Sequence, residues 1–208
     1  MRRARLVVSL IASACIGLAG CSGAAGGGSA ASGVDYSKLG TPVPSPTGPY
    51  QTPEPPEGPP GETADPTQQI LYDLRQRVVR MAGIPIQTEA SCAGGVITGT
   101  VDQNVTCSVT YQGLTVEYQV EITGGTPTFT WVATTDTGLL TAEGVGQAYW
   151  AKYGTDASEV RCDPMPEQRL VKLGEDTDYR CYHKSGDTWT EHAVVLTDGA
   201  ITFVEPGS

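Results

Sequence analysis

Two segments of the chain carry apolar residues at helical spacing, and the first comes directly after a Pro-rich stretch. Asp65 favours a helix start there because its side chain can cap the first turn, and Pro66 suits the first helical position. Gly83 favours the end of this helix. The apolar face predicted for it consists of Ile70, Leu71, Leu74, Val78 and Met81.

A second helix is predicted from about Thr141 to Tyr153, with Gly154 at its end. Gly144 and Gly146 should each weaken it by about 1 kcal/mol relative to alanine, so its sequence favours a helix less strongly than the first. Its apolar side is predicted to hold Ala142, Val145, Tyr149 and Tyr153.

Strict alternation of apolar and polar residues follows the first helix and predicts a pair of half-buried strands. Gln112-Gly113 fits a tight turn between them, and Cys107 falls on the inward side of the first strand. The inward rows are Val105, Cys107, Val109 and Tyr111, and then Leu114, Val116, Tyr118, Val120 and Ile122.

The same series of features occurs twice along the chain. Cys107 is followed after 16 to 18 residues by Thr-Gly-Gly and after 22 by Phe, and Cys181 is followed at the same distances by Thr-Asp-Gly and Phe. Such a match without gaps is typical of an internal repeat. We therefore predict an α+β protein with two tandem repeats, residues 65–134 and 135–208. Each repeat is one helix packed on a three-stranded antiparallel meander and carries one disulfide.

The first residues indicate export. Three arginines lie within residues 1–5, an apolar run extends from Leu6 to about Leu18, and Leu-Ala-Gly precedes Cys21. The run is shorter than the roughly 20 residues that a membrane-spanning helix needs. Leu-Ala-Gly-Cys resembles the lipobox of bacterial lipoproteins, in which the Cys thiol carries a diacylglyceryl group and becomes the new N-terminus. Residues 1–20 are thus predicted to be a lipoprotein signal peptide and Cys21 the lipidated residue. An ordinary secretory signal is the alternative.

Residues 21–64 are predicted to be a disordered linker between the lipidated Cys and the folded part. Residues 22–34 are almost entirely Gly, Ala and Ser, and residues 41–66 hold ten of the 15 prolines. Such sequences favour a flexible coil followed by a stiffer polyproline-like spacer, because neither buries enough apolar surface to fold.

The second half of the chain carries Val, Cys and Gly residues at a distinctive spacing. They are Val160-Arg161-Cys162-Asp163-Pro164, Gly174, Cys181, Gly186, Val194-Val195 and Asp198-Gly199. This pattern resembles the domain-of-unknown-function 4333 family, small domains of actinobacterial lipoproteins and membrane proteins. The first half matches less closely, through Ser91-Cys92, Val105-Thr106-Cys107, Gly113, Val120 and Gly124-Gly125. The resemblance implies two tandem copies, the first divergent, in an extracytoplasmic location. It implies no activity, because that of the family is unknown.

Four cysteines remain outside the predicted signal peptide and lipidation site, and three pairings can be drawn among them. The repeat selects Cys92 with Cys107 and Cys162 with Cys181, since each unit then carries its own bridge. Each bridge should stabilise the fold by about 3 kcal/mol by chain-entropy reasoning. A redox-active pair is disfavoured because no Cys-x-x-Cys spacing occurs.

Composition and motifs exclude several function classes. The chain has 13 Lys and Arg against 23 Asp and Glu, a net charge of −10, which disfavours a nucleic-acid partner. The phosphate-loop, dinucleotide-binding, α/β-hydrolase and zincin motifs do not occur. No catalytic residue, metal site or cofactor is predicted.

Both histidines, His183 and His192, fall in the hairpin of the second repeat, for which two registers are open. In one, a Ser185-Gly186 turn sets them about 14 Å apart. In the other, Cys181 faces His192 and the histidines lie diagonally, at about 7–8 Å. We favour strand histidines that are hydrogen-bonded to neighbouring hydroxyl groups over a ligand site.

The outward row of the same hairpin is unusually apolar. It holds Trp189, Ala193 and Val195 beside Glu191, whereas the matching row of the first repeat is polar. Outward apolar residues need a cover, so this row is a candidate partner surface. Packing between the repeats or a local change of register is the favoured alternative.

Together these features favour a lipid-anchored protein on the extracytoplasmic face of the cell membrane that acts by binding and not by catalysis. Its expected partners are the membrane, through the lipid, and an envelope protein or a wall polymer. An enzyme that acts on wall polymers and a purely structural spacer are the alternatives.

Overall fold

The computed structural model describes residue 35 and residues 39–126 and 128–206. The predicted signal peptide, Cys21 and the first part of the predicted linker lie outside these residues. The described elements are β1 (Thr41–Pro42), α1 (Pro66–Ala82), β2 (Glu89–Cys92), β3 (Gln103–Tyr111), β4 (Leu114–Thr123), β5 (Thr130–Thr134), β6 (Thr137–Thr141), α2 (Ala142–Tyr153), β7 (Glu159–Cys162), β8 (Gln168–Lys172), β9 (Asp176–Ser185), β10 (Thr188–Thr197) and β11 (Ala200–Val204). The protein is therefore a mixed α+β fold in which strands predominate.

Both helices begin and end where the sequence predicts. The Asp65 side chain accepts a 2.9 Å hydrogen bond from the Gln68 backbone N–H, and Gly83 ends α1 in the left-handed conformation at φ 77°. The Thr141 hydroxyl oxygen likewise accepts from the Gly144 N–H at 2.9 Å. These caps satisfy backbone groups that a helix end leaves unpaired. In the described part, neither helix combines the length and the apolarity that crossing a membrane requires.

The strands of the described residues pair in three antiparallel sheets. The four-stranded sheet has the order β2-β3-β4-β5, the five-stranded sheet has the order β1-β7-β9-β10-β11, and β6 pairs with β8. The predicted inward rows of β3 and β4 are buried or half-buried. Their neighbours on β4 are exposed, which confirms the alternation there, whereas Thr106, Ser108 and Thr110 on β3 are half-buried. Gln112 and Gly113 form the predicted turn between them with φ angles of 46° and 86°.

The packing does not divide into one helix per meander. Each larger sheet has a short Cys-bearing strand, β2 or β7, beside its three-stranded meander. Helix α1 contacts β2 and β3 but also β6 and β11, which belong to the second half of the chain. Buried residues of both halves, such as Leu74, Tyr118, Val194 and Leu196, accordingly belong to one apolar cluster. The two halves are therefore packed together.

One arginine of α1 connects the edges of the two larger sheets. The Arg77 guanidinium pairs with Asp198 in the β10–β11 turn at 2.9 Å. It also donates to the Ala133 carbonyl on β5 at 3.4 Å and lies 5.5 Å from the centroid of the Trp131 ring. A single side chain thus contacts both halves of the fold.

A close approach between the helices explains a glycine that weakens α2. The Thr141 hydroxyl donates to the Ala82 carbonyl at the end of α1, at 2.6 Å. A Cβ at Gly144 would collide with that same carbonyl oxygen. Glycine at this position therefore lowers the helix propensity of α2 but lets the start of α2 touch the end of α1.

Residues 39–64, which we call the strap, lie against the folded part. Strand β1 pairs with β7 at the edge of the five-stranded sheet. The Val43 N–H donates to the Val160 carbonyl at 2.9 Å, and the Trp150 indole of α2 donates to the Val43 carbonyl at 3.1 Å. Proline is compatible with such an edge strand, where few N–H groups need a partner.

The second half of the strap lies alongside α1 and contacts its side chains. Glu54 pairs with Arg80, and Glu57 pairs with Arg75 at 3.2 Å. Pro55 between them is buried. This part of the predicted linker is thus not the free spacer that its composition indicates. The strap binds the helices and the sheet edge through backbone groups such as those of Val43 and through its two glutamates, although it cannot form a core of its own.

Candidate functional site

Two tyrosines and two histidines meet between α2 and the five-stranded sheet. We call Tyr149, Tyr153, His183 and His192 the His–Tyr cluster. The tyrosines are four residues apart on α2 and therefore share a face of the helix. The histidines come from the neighbouring strands β9 and β10.

The register of the β9–β10 hairpin brings the histidines together. Cys181 lies opposite His192, so His183 is the diagonal neighbour of His192 on the same face of the sheet. Their ring centroids are 5.5 Å apart. The hairpin therefore adopts the second of the two predicted registers, and the register with a Ser185-Gly186 turn is wrong.

One phenol oxygen lies within hydrogen-bonding distance of three groups. Tyr149 Oη is 3.0 Å from His183 Nδ1, 2.9 Å from His192 Nδ1 and 3.3 Å from the Cys181 carbonyl oxygen. A hydroxyl group has one hydrogen and two acceptor lone pairs, and a carbonyl only accepts. All three contacts are satisfied when Tyr149 donates to Cys181 and both histidines donate from Nδ1. This assignment makes both imidazoles neutral Nδ1–H tautomers with a lone pair on Nε2. Burial raises the pKa of Tyr149, so its hydroxyl keeps its proton.

Aromatic rings enclose the cluster. The Tyr153 ring lies nearly parallel to both imidazoles, 4.8 Å from His183 and 4.4 Å from His192 between centroids. Phe203 of β11 meets the Tyr149 ring edge-on at 4.8 Å. The neighbouring Lys152 ammonium lies 5.3 Å from the centroid of the Tyr153 ring. Water therefore has little access to the shared hydroxyl.

Burial favours the uncharged form of both imidazoles. It is the main cause that lowers the pKa of His192, which is 5% exposed, and the positive charges of His183 and Lys152 lower it further. Burial also lowers the pKa of His183. The carboxylates of Glu205 and Asp156 act in the opposite direction, on His192 and His183 respectively.

Among the residues that the structure describes, the cluster has neither a group of metal ligands beside it nor a serine hydroxyl bonded to an imidazole. Within the described ranges, no three His, Cys, Asp or Glu side chains are grouped so that they could hold a metal ion. The nearby Ser158 hydroxyl donates to the Lys184 carbonyl at 3.1 Å and not to an imidazole. A cleft of about 300 Å³ reaches Lys152 and Phe203, but neither histidine lines it. The arrangement is that of a hydrogen-bonded joint between helix and sheet.

The disulfides have the pairing that the repeat predicts. Cys92 is bonded to Cys107, and Cys162 is bonded to Cys181. In both cases the two residues lie directly opposite each other on neighbouring strands. The second bridge adjoins the His–Tyr cluster, since the Cys181 carbonyl accepts a hydrogen bond from Tyr149.

The candidate partner surface on β10 is only partly accessible. Ala193 is 2% exposed, whereas Trp189 and Val195 are half-buried. The ladder changes register between Ala193 and Val195, which interrupts the alternation of inward and outward residues. A register change is one of the two explanations that the sequence favours for this row. Burial removes Ala193 from the accessible surface.

Sequence reasoning predicts half of the His–Tyr cluster. It places Tyr149 and Tyr153 on the inner side of α2 and expects the histidines to bond to neighbouring hydroxyl groups, and both features are present. It does not predict that one hydroxyl serves both imidazoles. The spacing of two tyrosines four residues apart on the predicted helix is the signal that could have indicated the partner.

Comparison of the chain with protein-family models, with curated proteins and with solved structures found no match in any of the three. The likeness to the domain-of-unknown-function 4333 family therefore depends on the residues quoted above.

Proposed function

We propose that the protein is a lipid-anchored, extracytoplasmic binding protein, made of two tandem units of the domain-of-unknown-function 4333 type. The two disulfides are the observation that supports a location in an oxidising compartment. Disulfides persist outside the cytoplasm and are rare within it. The signal-like leader that ends in Leu-Ala-Gly-Cys21 supplies the route to that compartment and the anchor.

The strand order supports the tandem units. In the four-stranded sheet, the Cys-bearing strand β2 precedes the meander β3-β4-β5, and in the five-stranded sheet β7 stands in the same place before β9-β10-β11. Each Cys-bearing strand is joined by its disulfide to the first strand of its meander. A shared origin of the two halves explains both correspondences.

The strap limits the distance from the membrane. It contacts the folded part from β1 onward, so residues 22–38 are all that separate Cys21 from the body. At no more than about 3.5 Å per residue, this length permits a separation of about 60 Å at most. The partners we propose are accordingly envelope proteins or wall polymers close to the outer surface of the membrane.

Lipidation is tested by comparing the wild type with Cys21→Ala in cells fed a labelled palmitate. We expect the wild type to carry the label and to partition into detergent, and Cys21→Ala to be unlabelled and either released or unprocessed. Cys15→Ala is the matched control, because it removes a leader Cys outside the lipobox-like motif and should keep the label. Equal labelling of Cys21→Ala and wild type would refute the anchor.

Binding is tested separately from anchoring. The purified chain is sedimented with isolated cell walls, and intact envelopes are cross-linked to compare wild type with Cys21→Ala. We expect co-sedimentation or a cross-linked envelope protein that depends on the anchored form. Turnover of wall polymer by the purified chain would instead show an enzyme.

A further inference from the structure

We propose that the His–Tyr cluster is a proton-sensitive latch, which holds α2 on the five-stranded sheet while at least one imidazole is neutral and loosens the helix when both are charged. This proposal does not depend on the lipid anchor or on the identity of a partner. It follows from the position of two imidazoles around one buried hydroxyl.

The latch is closed because every hydrogen-bonding group at its centre is used. The Tyr149 hydroxyl donates to the Cys181 carbonyl and accepts from His183 Nδ1 and His192 Nδ1, at distances of 3.3, 3.0 and 2.9 Å. These three bonds join α2 to both strands of the hairpin. Protonation takes place at Nε2 and leaves the Nδ1–H bonds formed, so the latch responds to charge and not to the loss of a donor.

One charged imidazole fits the cluster. A cation beside an aromatic face is attracted by the electrons of the ring, and the Tyr153 ring is 4.8 Å from His183 and 4.4 Å from His192. The carboxylates of Asp156 and Glu205 favour that charge as well. The first proton should therefore bind without releasing α2.

A second charge is unfavourable. The imidazole centroids are 5.5 Å apart, and the Lys152 ammonium adds a third positive charge over the Tyr153 ring. Repulsion between like charges increases with burial, since little water separates them. Asp156, Glu205 and Lys152 are all exposed, so solvent screens their opposing effects and the repulsion between the two imidazoles is the main effect. Tyr149 supplies no negative charge, because burial raises the pKa of its hydroxyl.

Loosening of α2 should reach the strap. Trp150, on the same helix, donates from its indole nitrogen to the Val43 carbonyl of the strap at 3.1 Å. Gly146 of α2 also packs against the Val43 side chain. In contrast, the contacts of Glu54 and Glu57 with α1 do not involve the cluster. Acid should therefore weaken these two contacts of Val43 with α2, whereas the pairing of β1 with β7 does not involve the helix.

Two measurements on the purified full-length chain test the latch. The first follows the histidine ring protons by NMR from pH 8 to pH 4. We expect the pair to titrate in two steps, both below the ordinary histidine value of about 6.5 and separated by about one pH unit or more. Two independent titrations at the ordinary value would overturn the proposal, and this result needs no variant.

The second measurement is hydrogen exchange at pH 7 and pH 5, corrected for the intrinsic pH dependence of exchange. We expect protection of the α2 amides to fall about tenfold more than protection of the α1 amides. The matched control is His183→Asn with His192→Asn. An Asn amide nitrogen lies near the position of Nδ1, so it can donate to Tyr149 without titrating. The difference between the helices should disappear in this double variant, and its persistence would refute the latch.

Discussion

The four-stranded and five-stranded sheets carry similar scaffolds but join their helices in different ways. Tyr118 of β4 is fully buried near Arg77 of α1, and its hydroxyl has no hydrogen-bond partner among the described residues. Tyr149 of α2 is equally buried, and its hydroxyl serves three groups. At these two tyrosines the first half relies on apolar packing, whereas the second half adds hydrogen bonds whose strength depends on geometry and charge.

The difference correlates with the helices themselves. Helix α1 has 17 residues and a well-defined apolar face, and α2 has 12 residues with Gly144 and Gly146 in its first half. A short helix with two glycines has little stability of its own. The hydrogen bonds of Tyr149 and the contacts with α1 and the strap stabilise α2, whose own sequence favours a helix only weakly. Five changes test this contrast.

The largest effect should come from the disulfides, where the two halves should behave alike. The bridged residues are 15 apart in the first sheet and 19 apart in the second. Cys92→Ala with Cys107→Ala, and Cys162→Ala with Cys181→Ala, should each reduce the free energy of unfolding by about 3 kcal/mol. Urea denaturation measures both. A loss below about 1 kcal/mol in one pair alone would show that the two halves are not equivalent.

Removal of one hydroxyl oxygen should lower stability in the second half but not in the first. Tyr149→Phe leaves a carbonyl and two imidazole N–H groups without their partner, so we expect a loss of about 2–3 kcal/mol. Tyr118→Phe is the matched control and should change stability by less than about 0.5 kcal/mol, because its hydroxyl makes no bond among the described residues. Similar losses in the two variants would remove the contrast.

The contact between the helices is tested by Gly144→Ala. Helix propensity alone predicts a gain of about 1 kcal/mol. The Ala82 carbonyl occupies the space of the new Cβ, so we expect a loss of about 1–2 kcal/mol instead. Gly48→Ala, which meets no atom within 4 Å, should leave the melting temperature unchanged. A stabilised Gly144→Ala variant would mean that the two helices can separate without cost.

Acid should destabilise the second half more than the first. The folded-state pKa of both histidines is lowered, chiefly by burial, so the unfolded chain binds more protons below about pH 6.5. The contribution of the two neutral histidines to the free energy of unfolding is therefore fully present above that pH. It is lost as the pH falls towards their folded-state pKa values. The effect should be smaller than that of Tyr149→Phe because the Nδ1–H bonds survive. Thermal melting of the wild type at several pH values measures this loss of stability in acid. The double His→Asn variant is the control and should lack the part of the loss that the histidines cause.

The smallest effect concerns the strap. Glu54→Gln removes an ion pair with Arg80 that is largely open to solvent, so we expect a loss of at most about 1 kcal/mol that shrinks in high salt. Val43→Ala at the other end should cost more, since this side chain packs against Gly146 of α2. Equal losses would contradict this expectation and show that charge and packing contribute alike to holding the strap.

Much of the secondary structure follows from local pattern. Caps at Asp65 and Thr141 and the turn at Gln112 act within a few residues, so their positions are readable from the sequence. The candidate site is only partly readable. Its histidine register depends on how β9 and β10 align, and two alignments satisfy the same alternation of residues. The bulge after Ala193 breaks the alternation that the outward row of β10 assumes.

The sequence by itself determined the two helices, the alternating strands and the pairing of the four cysteines, because caps, periodicity and an internal repeat are local or self-consistent signals. Only the tertiary structure decided that the strap docks and that one tyrosine holds two histidines. The bond from Trp150 to Val43 joins residues 107 positions apart, and the bond from Tyr149 to His192 spans 43. Residue pattern reports which side chains are apolar or polar over a few turns, whereas partners at such distances are chosen by packing and by the need to satisfy every buried polar group.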